Sequence, residues 1–217
     1  MNFNEARRRM VDSQVRTNDV TDLRLQTAME TTPREIFLPV GLRDQAYVER
    51  EIDYAPGRTL LTARDFSKLA AIAEPKAGEL VLNAVAGSGY STAILAQLVD
   101  MVVAVESDET LAATAQENLN IVDVSNAAVI TGPSDQGAAS QGPYDLVFID
   151  GAIEKRPDAL LAQLKDGGRL VAIMRKDGVS RGVVYRHNGD AFACTEKFDA
   201  STRAILPGFE AVKSFVF

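Results

Sequence analysis

Apolar and polar positions follow two regimes along this chain, and the change falls near residue 78. Before it, apolar residues recur at helical spacing. Ala6, Met10 and Val15 stand among charges over residues 4–16, and Leu23, Leu25, Ala28 and Met29 mark a second helix starting near Asp19–Thr21. Thr32-Pro33 ends that helix, because proline disfavours helical backbone at the residue before it. Residues 53–62 read as loop and short strand, and Phe66, Leu69, Ala70 and Ile72 give a helix over 65–73 its inward face. Beyond residue 78, short apolar runs predict strands at 80–85, 101–106, 127–131, 144–149 and 169–174. Helical segments at 90–98, 108–119 and 157–164 fall among them.

Continuous apolar runs such as Leu146-Val147-Phe148-Ile149 imply burial on both faces, as in a parallel sheet. Strands alternating with helices predict an α/β fold with a doubly wound, mainly parallel sheet. Val183–His187 and Phe192–Phe198 form a hairpin across Asn188-Gly189-Asp190, which supplies a C-terminal antiparallel strand. The run 212–217 is a candidate edge strand. The expected organisation is one domain over 1–217, with 1–78 as an N-terminal helical, substrate-side extension.

Composition narrows the function classes. The 217 residues are 46 % hydrophobic and 24 % charged, ordinary for a soluble globular protein. The net charge of −7 argues against nucleic acid as a partner. Arg7-Arg8-Arg9 reads as one solvated helix face. The single cysteine, Cys194, excludes an intrachain disulfide and reads as a packing residue. His187, the only histidine, reads as a surface or packing residue. No run approaches the roughly 18 apolar residues of a membrane helix, and Met1–Glu5 lacks a signal-peptide core, so no membrane role and a cytoplasmic location are expected.

The chemistry centres on Val81-Leu82-Asn83-Ala84-Val85-Ala86-Gly87-Ser88-Gly89-Tyr90. It reads as strand, Gly-Ser-Gly turn and helix. Glycines let backbone approach a ligand, and the helix start offers free N–H groups. The next strand, Met101–Val105, leads into Glu106, 19 residues after Gly87. A carboxylate at that place accepts hydrogen bonds from both hydroxyls of a ribose. The turn with Glu106 points to a ligand containing a nucleoside.

The chain resembles the protein-L-isoaspartate O-methyltransferase family of class I S-adenosylmethionine-dependent methyltransferases. Pro33-Arg34-Glu35-Ile36-Phe37-Leu38-Pro39 and Gln163-Leu164-Lys165-Asp166-Gly167-Gly168-Arg169-Leu170 carry that resemblance most specifically. Ala46-Tyr47, Gly57-Arg58-Thr59-Leu60, Val81–Tyr90, Val105-Glu106 and Pro143-Tyr144-Asp145 extend it over nearly the whole chain. It implies a Rossmann-like methyltransferase fold and S-adenosylmethionine as cofactor. The acceptor it implies is a carboxylate of damaged, isoaspartyl-containing protein or peptide. The implied cofactor residues are Asn83, Gly87, Ser88, Gly89, Tyr90 and Glu106, and the implied substrate residues are Arg58, Thr59 and Asp150. Thr62 is the implied catalytic hydroxyl.

The departures from the family pattern are specific. Asn83 stands in an acidic place and Val85 in a glycine place. Gly132-Pro133-Ser134 replaces Gly-Asp-Gly, and Leu61 replaces the serine that contacts the isoaspartyl carboxylate. Thr62 is the nearest hydroxyl to that place, and weak or absent isoaspartyl activity is the expectation. Tyr144–Lys155 also resembles metal-dependent catechol-type O-methyltransferases, but Met174-Arg175-Lys176-Asp177 lacks their Asp-Asn pair, so no metal is expected. Asp150 reads either as a site residue or as a helix cap or turn residue. Methyl transfer to a carboxylate needs positioning rather than a Ser-His-Asp or Cys-His set. Two further functions stay open: a methyltransferase acting on a small-molecule acceptor, and a non-catalytic binding protein that keeps the fold.

Overall fold

The computed structural model describes residues 2–211. A seven-stranded sheet organises them, and its strands come in the order β5-β4-β3-β6-β7-β8-β9. These strands are β3 (Leu80–Asn83), β4 (Met101–Glu106), β5 (Ala127–Thr131), β6 (Tyr144–Ile153), β7 (Leu164–Lys176), β8 (Val179–Asn188) and β9 (Ala191–Ala200). Strands β3 to β7 pair in parallel, and β8 and β9 add antiparallel. The predicted hairpin is therefore present, turning at Gly189, whose φ is +59°. The candidate strand 212–217 lies outside the described residues.

Apolar side chains cover both sheet faces. On one face lie α1 (Phe3–Met10), α2 (Leu23–Thr31), α3 (Ala63–Ala73) and α4 (Tyr90–Ala96), with Met10, Met29, Phe66 and Ile94 fully buried against Val81, Val102 and Phe148. Helix α5 (Glu109–Ile121) contributes Leu119 to the same layer. The other face is thinner. Helix α6 (Asp158–Leu161) is a single turn, and Leu206 and Phe209 of the C-terminal segment complete the layer with Leu82, Val147 and Leu170. The helix predicted over 157–164 stops early because β7 already begins at Leu164.

Residues 2–78 are tied into this core. Helix α1 runs on as a π-helical stretch, Val11–Val15, which the helical pattern does not reveal. Arg7 corrects the reading of a solvated basic face. It is buried and donates to the Tyr47 hydroxyl (3.1 Å) and the Thr31 carbonyl (3.1 Å), while Arg8 and Arg9 are exposed. Arg169 of the family motif donates to the Glu74 carbonyl (2.7 Å) and to both Glu79 oxygens (2.9 Å each), binding the end of α3 to the sheet. At the other end of α3, Asp65 accepts from the Ser201 N–H (2.7 Å) and hydroxyl (2.6 Å).

Two further readings are corrected. Cys194 is exposed on β9, the outermost strand, where it stands opposite Tyr185 at the edge of the thinner apolar layer. Asp150 caps no helix, since it lies inside the extended run of β6. His187 is half-buried and stacks on Phe192, with ring centroids 4.5 Å apart.

Candidate active site

The strand order reverses between β3 and β6, and in open α/β sheets ligands bind beyond the carboxyl ends of the strands at that point. The predicted turn sits there. The Ala84 N–H donates to the Phe148 carbonyl (2.9 Å) and the Ala86 N–H to the Val105 carbonyl (2.8 Å), so the turn is stitched to both neighbouring strands. Gly87 and Gly89 have φ of +55° and +99°, and Gly89 is the N-cap of α4. Val85 does not adopt a positive φ, so its branched side chain brings no backbone strain. It packs into the second apolar layer.

Glu106 ends β4 and is fully buried. Both of its oxygens are taken. Oε2 accepts from Arg58 Nε (3.0 Å) and the Gly87 N–H (2.9 Å). Oε1 accepts from Arg58 Nη2, the Asp108 N–H (3.0 Å) and the Ser107 hydroxyl (3.3 Å). Burial alone would raise this carboxyl. The Arg58 fork, the two backbone N–H groups and the Arg58 charge outweigh it and hold the carboxyl below its usual value.

Arg58 comes from a separate two-stranded sheet, β1 (Ile52–Ala55) and β2 (Arg58–Leu60), lying over the turn. The register of this hairpin slips between Asp53 and Ala55, leaving Tyr54 as the extra residue of a bulge. Bulges re-aim side chains, and the Tyr54 hydroxyl accepts the Ser88 N–H at 3.2 Å. A Cβ at Gly87 would stand 2.2 Å from that hydroxyl, so this glycine is needed for the hairpin to close down. Burial pushes the Tyr54 hydroxyl up to about 12, with the Asp150 charge adding to the effect. The C-terminal segment closes the other side. Leu206 donates its N–H to the Ala152 carbonyl (2.9 Å) and packs on Gly151, and Pro207 packs on Gly57. Between Tyr54, Arg58, Gly87, Asp150 and Leu206 there remain about 10 Å³, room for at most one water.

Asp150 faces this space. Its Oδ1 is buried without a hydrogen-bond partner. Burial raises the carboxyl to about 6, against the pull of Ser91 and Arg34. The remaining predicted residues are placed as follows. Thr59 donates to Asp53 Oδ1 (2.6 Å) across the hairpin and lines the same space. Asn83 donates to the Ser91 (2.9 Å) and Thr92 (2.8 Å) hydroxyls, sewing β3 to the first turn of α4 and leaving its buried Oδ1 without a partner. Tyr90 is buried between Phe37 and Phe66. Thr62 is the N-cap of α3, with its hydroxyl accepting the Asp65 N–H (3.0 Å), rather than a group facing the space beside Glu106. Tyr54 and Leu206 are the residues that sequence reasoning missed. The bulge and the return of the C-terminal segment leave no mark in the hydrophobic pattern.

A family profile, protein-L-isoaspartate(D-aspartate) O-methyltransferase, matches residues 5–201. The chain belongs to that family. It is 36% identical over 175 residues to the protein-L-isoaspartate O-methyltransferase of Vibrio atlanticus (strain LGP32), covering 81% of this chain and 84% of that protein. It is 31% identical over 194 residues to the enzyme of the same name from Maricaulis maris (strain MCS10), covering 89% and 91%. Among solved structures it is similar to a Plasmodium falciparum protein described as a β-aspartate methyltransferase in complex with S-adenosyl-L-homocysteine. That likeness has a TM-score of 0.76 at 15% identity, over 92% of this chain and 97% of that one. It supports the fold, a mainly parallel methyltransferase sheet with N-terminal helices and antiparallel C-terminal strands.

Family membership makes the strand, glycine turn and Glu106 of this protein-L-isoaspartate O-methyltransferase family member the place to test for an S-adenosylmethionine site. The residue types fit: a buried carboxylate, two glycines and the start of α4. In this structure the chain's own groups occupy the place. Five donors already use the acceptor positions of Glu106, and the space above Gly87 is filled by the Tyr54 hydroxyl.

Proposed function

We propose that this chain is an S-adenosylmethionine-dependent methyltransferase. It methylates the carboxylate of isoaspartyl residues in damaged protein or peptide, as a cytoplasmic repair activity. The observation that carries this reading is the glycine turn with Glu106 at the tip of the neighbouring strand, inside a family match spanning 5–201. The cofactor supplies a methyl group already activated on a sulfonium. The acceptor carboxylate is ionised near neutral pH, so the chain's task is to bind, orient and exclude water. Asn83 fixes α4 against β3, Arg34 fixes Leu61 at the end of the hairpin, and Leu206 covers Gly151 beside the site. No helix among the described residues is long and apolar enough to cross a membrane.

Isotope-labelled S-adenosylmethionine offered with paired isoaspartyl and aspartyl peptides tests the reading. Base-labile methyl ester is expected on the isoaspartyl peptide alone. Absence of transfer, with cofactor binding intact, would sink it. Asp150 favours a second reading. Its carboxylate would repel a second carboxylate, while its unpartnered Oδ1 would accept a bond from the hydroxyl of a small-molecule acceptor. That reading is selected if hydroxyl compounds, and not the peptide, are methylated.

A further inference from the structure

The nucleoside place in this chain is taken by the chain itself. Arg58, only 4% exposed, lays its guanidinium fork on both oxygens of Glu106. Those are the oxygens that family membership assigns to a ribose. Tyr54, thrown out of register by the bulge, puts its hydroxyl on the N–H of Ser88 and against Gly87. Charge-assisted bonds of a guanidinium to a carboxylate are roughly twice as strong as those of neutral hydroxyls. A ribose therefore gains less from Glu106 than Arg58 loses by leaving it.

The hairpin that carries these two side chains is suited to moving. Its strands are four and three residues long, and they pair only with each other, outside the main sheet. A lone two-stranded hairpin is marginal in water. This one is held by Arg58 on Glu106, Tyr54 on the turn, Gly57 packed on Pro207, and Ile52 and Leu60 buried in the main apolar layer.

We propose that the β1–β2 hairpin is a plug and Arg58 an internal competitor for Glu106, so that S-adenosylmethionine or its demethylated product enters only when the hairpin withdraws. The proposal rests on the reading of Glu106 as the nucleoside's acceptor. Its consequence is a reduced apparent affinity. If the hairpin is withdrawn in about 1–10 % of molecules, the affinity falls by about 10- to 100-fold from its intrinsic value.

Two measurements test this, and neither depends on methyl transfer. Calorimetry with S-adenosylhomocysteine compares wild type with Arg58→Gln. Binding about ten-fold or more tighter in the variant is expected, since it frees the carboxylate from its charged competitor. Hydrogen exchange on the unaltered protein provides the second, and it stands even if Arg58→Gln folds poorly. Adding S-adenosylhomocysteine is expected to speed exchange at amides of residues 52–60 while slowing it at 84–90. Equal affinities, or cofactor binding that leaves 52–60 as protected as before, would overturn the plug while keeping the cofactor reading. No binding by either protein would overturn the cofactor reading and the plug together.

Discussion

The guanidinium carbon of Arg34 lies 4.8 Å from the centroid of the Tyr90 ring, while its nitrogens donate to the carbonyls of Ala46 (2.8 Å) and Leu61. One buried side chain thus joins the Pro-Arg-Glu-x-Phe-x-Pro run, the first residue of α4 and the exit of the hairpin. This explains why a motif remote from the glycine turn goes with it. Tyr90 is a post that Arg34 and two phenylalanines hold, and it borders the space above the turn.

Removing that link has a definite cost. Arg34→Ala deletes charged hydrogen bonds to two buried carbonyls and the stack on Tyr90, and is expected to lower stability by about 2–4 kcal/mol. Arg34→Lys recovers little, because an ammonium lacks the planar fork. Urea denaturation followed by far-ultraviolet circular dichroism reads both variants. A midpoint unchanged in Arg34→Ala would refute the role.

The Glu106 carboxyl sits below its ordinary value in the folded protein, with burial opposing and Arg58 and backbone N–H groups prevailing. Its stabilising contribution is therefore complete above the unfolded-state value of about 4.3 and is lost as pH falls through the lower folded value. Melting temperatures taken from pH 7 to pH 3 should fall across that window in wild type. Glu106→Gln should start lower, since unpairing Arg58 in the interior costs about 3–5 kcal/mol, and should show a shallower acid limb. Parallel profiles for the two proteins would contradict this.

Asp150 has the opposite sign. Its folded value is raised to about 6 by burial, so its contribution is present below the unfolded value of about 3.9 and is lost as pH rises through about 6. Above that, the ionised, partly unpartnered carboxylate costs up to about 3 kcal/mol. Asp150→Asn should be more stable than wild type at pH 8 and equal to it below pH 4. A difference that does not change with pH would mean the carboxyl is solvated.

Leu61, 2% exposed, belongs to the apolar layer that includes Phe66 and Phe148 and also borders the small space beneath the C-terminal segment. Leu61→Ser is expected to cost about 2–4 kcal/mol through the lost packing. It is also expected to raise isoaspartyl methyl transfer about ten-fold by restoring a hydroxyl donor to the acceptor carboxylate. Thermal melts and the peptide assay separate the two effects. Destabilisation without any gain in transfer would place the substrate carboxylate elsewhere.

The doubly wound sheet was legible because buried parallel strands are written as unbroken apolar runs. Met101–Glu106 and Ala127–Thr131 fall at the expected residues for that reason. Periodicity failed where tertiary partners decide. The π-helical stretch at Val11–Val15 and the early start of β7 at Leu164 leave no periodic mark. Arg7 reads as surface in any pattern, yet Tyr47 and two carbonyls draw it inward. Glu106 was legible from its spacing to Gly87. Its pairing with Arg58, 48 residues earlier, was not, because a guanidinium's reach across a fold has no local signature.

The tie between Asp65 and Ser201 spans 136 residues. It has a consequence for how the protein is made. The helical layer laid down first at the ribosome cannot be locked until Ser201 has emerged, and Arg169 must also appear before the end of α3 finds its partner. Until then Phe66, Leu69 and Ala70 have no finished sheet to cover, and the nascent chain carries that face bare through most of its synthesis. Emergence of Ser201, rather than of the helical layer itself, sets when this layer becomes native. A stalled chain ending before residue 201 should be captured by holdase chaperones and cut by protease within 63–73, whereas the released protein should resist there.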